Sequence, residues 1–152
     1  MEAAEITSGR KVANKHNLYR DVMEAEHSPV RLLLYWVVGH DVPERVTTHL
    51  VRHAIGNVFF VSTARPDRGG GDGKIRTIGF LTNHQALVNM ARKRLCSTAW
   101  HETRDFVLML RGILPEETAR YMVPECEYRG GVCHEPKRAW TKCQRSPHYT
   151  EL

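Results

Sequence analysis

The chain has 152 residues, 41% of them hydrophobic, with 22 Lys+Arg against 17 Asp+Glu and a net charge of +5. That length and apolar content suit one domain with a real core and argue against a disordered or fibrous chain. The positive charges are dispersed rather than gathered into a block, which favours a nucleotide over a long nucleic acid as partner.

The longest apolar run, Leu32 to Val38, falls well short of the ~18 residues of a membrane span. Met1 to Arg10 lacks the apolar centre of a signal peptide. A cytoplasmic protein without membrane contact is expected. Four cysteines, Cys96, Cys126, Cys133 and Cys143, are too few and too unevenly spaced for a secreted disulfide framework and read as reduced thiols.

In chain order, Ser28 to His40 (SPVRLLLYWVVGH) is a β-rich run bounded by Pro29 and Gly39. A continuous apolar run of this kind is covered on both sides, so it reads as a central strand. Asp41 is placed to cap a helix from about Val42 to His53, with Pro43 and Glu44 in its first turn and Val46, Leu50 and Ala54 on one face. Gly56 ends that helix, and the aromatic and β-branched segment Asn57 to Thr63 reads as a strand. Asp67 to Lys74 (DRGGGDGK) is a glycine-rich loop joining two halves.

In the second half, Thr82 or Asn83 caps a helix to about Cys96, in which Asn83, Leu87, Met90 and Arg94 share one stripe. A second helix, roughly Ala99 to Gly112, carries Phe106, Val107, Leu110 and Ile113 at helical spacing. A third helix begins at Pro115, with Glu116 and Glu117 near its positive end. Beyond Cys126 no periodicity remains. Residues 1–125 therefore read as a single domain and 126–152 as an irregular, cysteine-containing tail.

The chemistry gathers around VRHAIGNVFFVSTARPDR, Val51 to Arg68. Arginines at a helix end and beyond a strand, here Arg52, Arg65 and Arg68 with His53 and Ser62, can converge on a phosphate through forked, charge-assisted hydrogen bonds.

The segment RHAIGNVFFVSTAR resembles the R-H-R-x-x-S-x-N-E-x-S-x-R signature of the flavin-dependent thymidylate synthases (ThyX), matching at Arg52, His53, Ile55, Val58 and Ser62. Ala54, Asn57 and the pair Phe59-Phe60 depart from it, and Arg65 stands one place late. Upstream, EHSPVR (Glu26 to Arg31) is similar to the family's His-x-x-Pro segment, with His27 and Ser28 toward the flavin. Downstream, NHQALVNMARKRLCSTAWHETR is similar to its N-x-R-x-L-x-N-x-x-x-x-R helix and following turn, matching at Asn83, Leu87, Asn89, Arg94 and Glu102, with Gln85 in place of an arginine. LPEETARYMVP resembles a further segment whose arginine, here Arg120, meets the nucleotide, although in the family it precedes the asparagine-rich helix.

The resemblance spans about Glu26 to Arg104 and implies a short, divergent member of the kind phages carry. Its fold would be α+β, an antiparallel sheet packed with helices, assembled as a homo-oligomer, a tetramer in the family, because a chain this small does not easily enclose two ligands alone. The implied activity is reductive methylation of dUMP to dTMP, with methylenetetrahydrofolate as carbon donor and NADPH as reductant through FAD. His27, Ser28, Arg52, His53, Ile55, Asn83, Gln85 and Asn89 would line the cofactor. His49, Ser62, Arg65, Arg94 and Arg120 would meet the nucleotide, with Ser62 and Arg94 nearest the chemistry. Ser62 would act as a ligand-contacting hydroxyl, since no general base stands near it in the local sequence.

Two rivals follow from the same residues. Losing the second arginine and the Asn-Glu pair of the signature suits a non-catalytic protein that sequesters or senses a nucleotide on the same scaffold. Cys126, Cys133, His134 and Cys143 could instead hold a structural zinc, but paired C-x-x-C spacing is absent and no metal is the preferred reading.

Overall fold

The computed structural model describes residues 5, 6, 9, 15–70 and 74–133. Helix α1 (Lys15–Glu24) leads into a 3-10 turn, Ser28–Leu32, and then into strand β1 (Leu34–Pro43). Helix α2 (Glu44–Leu50), strand β2 (Val58–Val61) and strand β3 (Ile75–Asn83) follow. Helices α3 (His84–Arg94), α4 (His101–Ile113), α5 (Glu116–Ala119) and α6 (Glu125–Tyr128) complete the described chain.

The three strands form an antiparallel sheet in the order β1-β3-β2. Alternation along β3 sends Arg76, Ile78, Phe80 and Thr82 to the helical side, where all four are buried. The register sets Val37 and Phe59 on either side of Phe80. Against this face pack Val46 and Leu50 of α2, Leu87, Met90 and Ala91 of α3, and Phe106, Val107 and Leu110 of α4. Buried Arg76 donates to Glu44 at 2.5 Å, which ties the start of α2 to the central strand and supplies the counter-charge a buried guanidinium needs. Buried His84 bonds Thr118 at 2.9 Å, and the same hydroxyl meets Tyr35 at 2.7 Å, joining β1, α3 and α5.

The α+β class and the antiparallel sheet agree with expectation; several element assignments do not. The run Ser28 to His40 is not one central strand. Pro29 sits in the first turn of a 3-10 segment, and β1 is an edge strand whose outward residues Leu34, Trp36 and Val38 are left exposed by the described residues. The central strand is β3, in a segment whose glycine, arginine and threonines break up its apolar run.

Asp41 caps no helix. It lies at φ 54° where the β1-β3 register shifts between Gly39 and Val42, and Pro43 takes the N-cap position of α2. That helix stops at Leu50, not at His53, so Ala54 is exposed rather than on the apolar face. Gly56, at φ 80°, belongs instead to the turn into β2. Asn83 does cap α3, its side chain accepting from the Ala86 N–H at 3.0 Å. Ordered structure continues through α6, held by the pairing of Glu125 with Arg92. Gly71, Asp72 and Gly73 of the glycine-rich loop, and His134 and Cys143 of the zinc reading, lie outside the described residues.

Candidate functional site

The C-terminal ends of α2 and α3 meet, and the residues there are cations and imidazoles. Arg94 Nε donates to His53 Nε2 at 2.8 Å, and its Nη2 donates to the His49 carbonyl at 3.0 Å. An arginine can only donate. His53 Nε2 must therefore present a lone pair, with the ring neutral and its proton on Nδ1. Burial, reinforced by the Arg94 charge, lowers the His53 pKa to about 4.

His49 bonds Thr103 of α4 at 2.8 Å. Its pKa is also lowered, first by burial and then by Arg94, Arg52 and Arg45. Arg45 lies 4.5 Å above the Trp100 ring, which orients its guanidinium without neutralising it. Among the described residues no carboxylate pairs with Arg45, Arg52 or Arg94. Burial and the neighbouring Arg52 both work against the charge on Arg94 and lower its pKa. Three guanidinium groups around two neutral imidazoles leave an uncompensated positive field, the arrangement that a phosphate or another oxyanion completes.

From Arg94 the turn 51–57 runs along α3 to its other end. Asn83 Nδ2 reaches the Gly56 carbonyl at 3.4 Å, and a Cβ on Gly56 would lie 3.0 Å from that of Ala86. The Arg-His segment and the asparagine-bearing helix therefore form one wall.

The remaining sequence-derived candidates separate into three places. Gln85 donates to Glu26 at 2.5 Å and to Asn89 at 3.5 Å, and Asn89 also accepts from Arg92. His27 and Ser28 are exposed beside Glu26, and Ile55 is 92% exposed. Ser62 and Arg65 lie beyond the far end of β2 from His53. The Ser62 hydroxyl accepts from the Thr77 N–H at 3.0 Å, and Arg65 is forked onto Asp67 at 3.0 and 2.6 Å. Arg120 is exposed and donates to the Tyr121 hydroxyl at 2.7 Å. Within one chain, then, His49, Arg52, His53 and Arg94 come together, whereas Ser62, Arg65 and Arg120 stand apart from them.

A flavin would need free polar atoms along α3. Asn83 spends its oxygen on the helix cap and its nitrogen on Gly56, Gln85 is held by Glu26, and that carboxylate stands beside His27. These residues, as they stand in a single chain, do not fit FAD. Phe59 and Phe60, at the Asn-Glu positions of the signature, are packing residues: Phe59 lies 5.1 Å from the Phe80 ring, and Phe60 lies 6.0 Å from that of Trp36. A cavity of about 90 Å³ lined by Leu95, Ser97, Arg104, Leu108, Arg111 and Pro124 contains none of the candidate residues and is too small for a nucleotide.

Sequence reasoning did not single out Arg45 and Thr103. Arg45 was within reach of it, because Arg45, His49 and Arg52 recur at spacings of four and three, which places them on one side of a helical segment. Thr103 had no local signal. No family model matches the sequence, and no curated protein or solved structure matches the chain.

Proposed function

We propose that the chain binds a nucleoside monophosphate, with dUMP the first candidate, through the arginine and histidine cluster at the ends of α2 and α3. The observation that carries this reading is the contact of Arg94 with His53 and with the His49 carbonyl, with Arg52 and Arg45 also near His49 and, among the described residues, no carboxylate paired with any of the three. Arg94 is the central donor, Arg52 a second cation at the solvent edge, and His53 fixes the Arg94 guanidinium through its Nε2 lone pair. dUMP is favoured over other phosphates by the resemblance of Arg52-His53 and of the Asn83 to Arg94 helix to the thymidylate synthase pattern.

The test is calorimetric titration of the chain with dUMP, dTMP, deoxyuridine and inorganic phosphate. dUMP is expected to bind and deoxyuridine not to. Arg94→Ala should weaken dUMP by roughly tenfold to a hundredfold, the value of one or two hydrogen bonds to a charged group. Unchanged affinity in that variant overturns the reading.

The second reading is the synthase itself, an FAD-dependent reductive methylation of dUMP. The observation favouring it is the shared wall formed by the turn 51–57 and α3, which keeps Arg52, His53, Asn83 and Arg94 in one surface. When bound, the flavin would supply the hydride, and this chain's residues would hold the nucleotide. Because the α3 amides are engaged internally, that reading requires neighbouring subunits, a tetramer by resemblance, to complete the flavin site. Protein that is yellow as purified, with the absorbance near ~450 nm of an oxidised flavin, supports it. Colourless protein that cannot be reconstituted with FAD leaves nucleotide binding alone.

A further inference from the structure

The sheet face away from the helices carries six large apolar side chains that no other described residue covers. Leu34, Trp36 and Val38 of β1, Val58 and Phe60 of β2, and Leu81 of β3 are each between 41% and 60% exposed. A Cβ on Gly79 would lie 3.1 Å from the Trp36 indole. Its absence lets that ring lie across the sheet toward Phe60, with centroids 6.0 Å apart and planes at 59°.

The patch exposes roughly 600 Å², the upper end for a monomer and close to the roughly 800 Å² that each partner gives to a standard interface. No ionisable side chain occupies an outward position in the register of Leu34–Gly39, Val58–Val61 and Ile78–Asn83. A charged partner would find nothing there to pair with, whereas two identical faces can meet without opposing like charges. Along β1 the outward residues Leu34, Trp36 and Val38 are as apolar as inward Tyr35 and Val37, and a strand that is apolar on both faces is one that is covered on both.

We infer that the occupant is a second copy of this chain, docked sheet against sheet about a two-fold axis, with the Trp36 and Phe60 rings at its centre. The nucleotide-site residues belong to the helical side of the sheet, so this interface stands or falls independently of the proposed ligand.

Light-scattering mass measurement on the full chain tests it. The wild type is expected at twice 17.5 kDa or an even multiple of that. Trp36→Lys and Val58→Lys, both at exposed outward positions, should each reduce the mass by half or more while keeping the native circular dichroism. Ile113→Lys, on α4 and 74% exposed, should leave it unchanged. A monomeric wild type, assembly that survives both sheet substitutions, or assembly lost in Ile113→Lys and retained in Trp36→Lys overturns the proposal. A wild-type monomer that instead pellets with phosphatidylcholine vesicles also overturns it and assigns the face to a lipid surface.

Discussion

At the scale of the residue, His53 shows how one hydrogen bond fixes a charge state. Its Nε2 accepts from Arg94, so protonating it would set two cations face to face, and burial adds to that cost. The folded pKa of about 4 lies below the ordinary 6.5. Between those values the unfolded chain binds a proton that the folded chain does not, so His53 stabilises the fold above pH ~6.5, and that contribution fades as pH falls toward about 4. His49 and His84, both lowered by burial, act in the same direction. Glu125, held at about 2 chiefly by its bonds from Arg92, extends the loss below its ordinary 4.5.

Thermal unfolding temperature is therefore expected to hold above pH ~6.5 and to fall from there toward pH ~4. His53→Gln, which can keep an acceptor toward Arg94 without titrating, should flatten the slope in that window. Equal slopes in the two proteins would count against this assignment. Because only neutral His53 accepts from Arg94, and a phosphate loses its second charge near pH ~6, the stabilisation by phosphate should be smaller at pH 5 than at pH 7.

At the scale of the element, β1 turns from strand to helix through a crowded and a strained position in succession. A Cβ on Gly39 would meet Val42 Cγ2 at 2.9 Å, Phe106 Cε2 at 3.2 Å and Ile78 Cγ2 at 3.3 Å. Two residues on, Asp41 adopts a positive φ at the register shift. Gly39→Ala should overpack the junction and cost about 1 to 3 kcal/mol in chemical denaturation. Gly112→Ala, where nothing lies within 4 Å inside α4, should instead stabilise by about 0.5 to 1 kcal/mol.

The same elements mark what the sequence could reveal. Asn83 followed by Leu87, Met90 and Arg94 made α3 legible, because cap and stripe are local signals. Strand β3 was not legible: its Arg76 is tolerated in the core only through Glu44, 32 residues away, and its Gly79 is explained only by the ring of Trp36. Asp41 looked like a cap because Asp before Pro-Glu usually is one. The site divided along the same line. Arg52, His53 and Arg94 carried a motif, while the separation of Ser62 and Arg65 from them depends on the length and direction of β2.

At the scale of the whole molecule, the sheet has two unlike sides. Helices α2, α3 and α4 cover one and bring the arginines together, while the other is apolar and, among the described residues, bare. If the bare side is closed by a second chain, folding and association are one equilibrium, and stability must depend on protein concentration. The unfolding temperature should then rise by about 2 °C for each tenfold increase in concentration, the expectation for a dimer of this size whose dissociation accompanies unfolding. In Trp36→Lys the dependence should vanish, leaving a lower and constant midpoint. Because Arg94 and His53 belong to the helical side, dUMP should raise the midpoint of Trp36→Lys by about as much as that of the wild type. A variant that loses concentration dependence and keeps the dUMP shift separates interface from site. One that loses both at once would mean that the nucleotide is held between chains, with arginines from more than one copy closing on it.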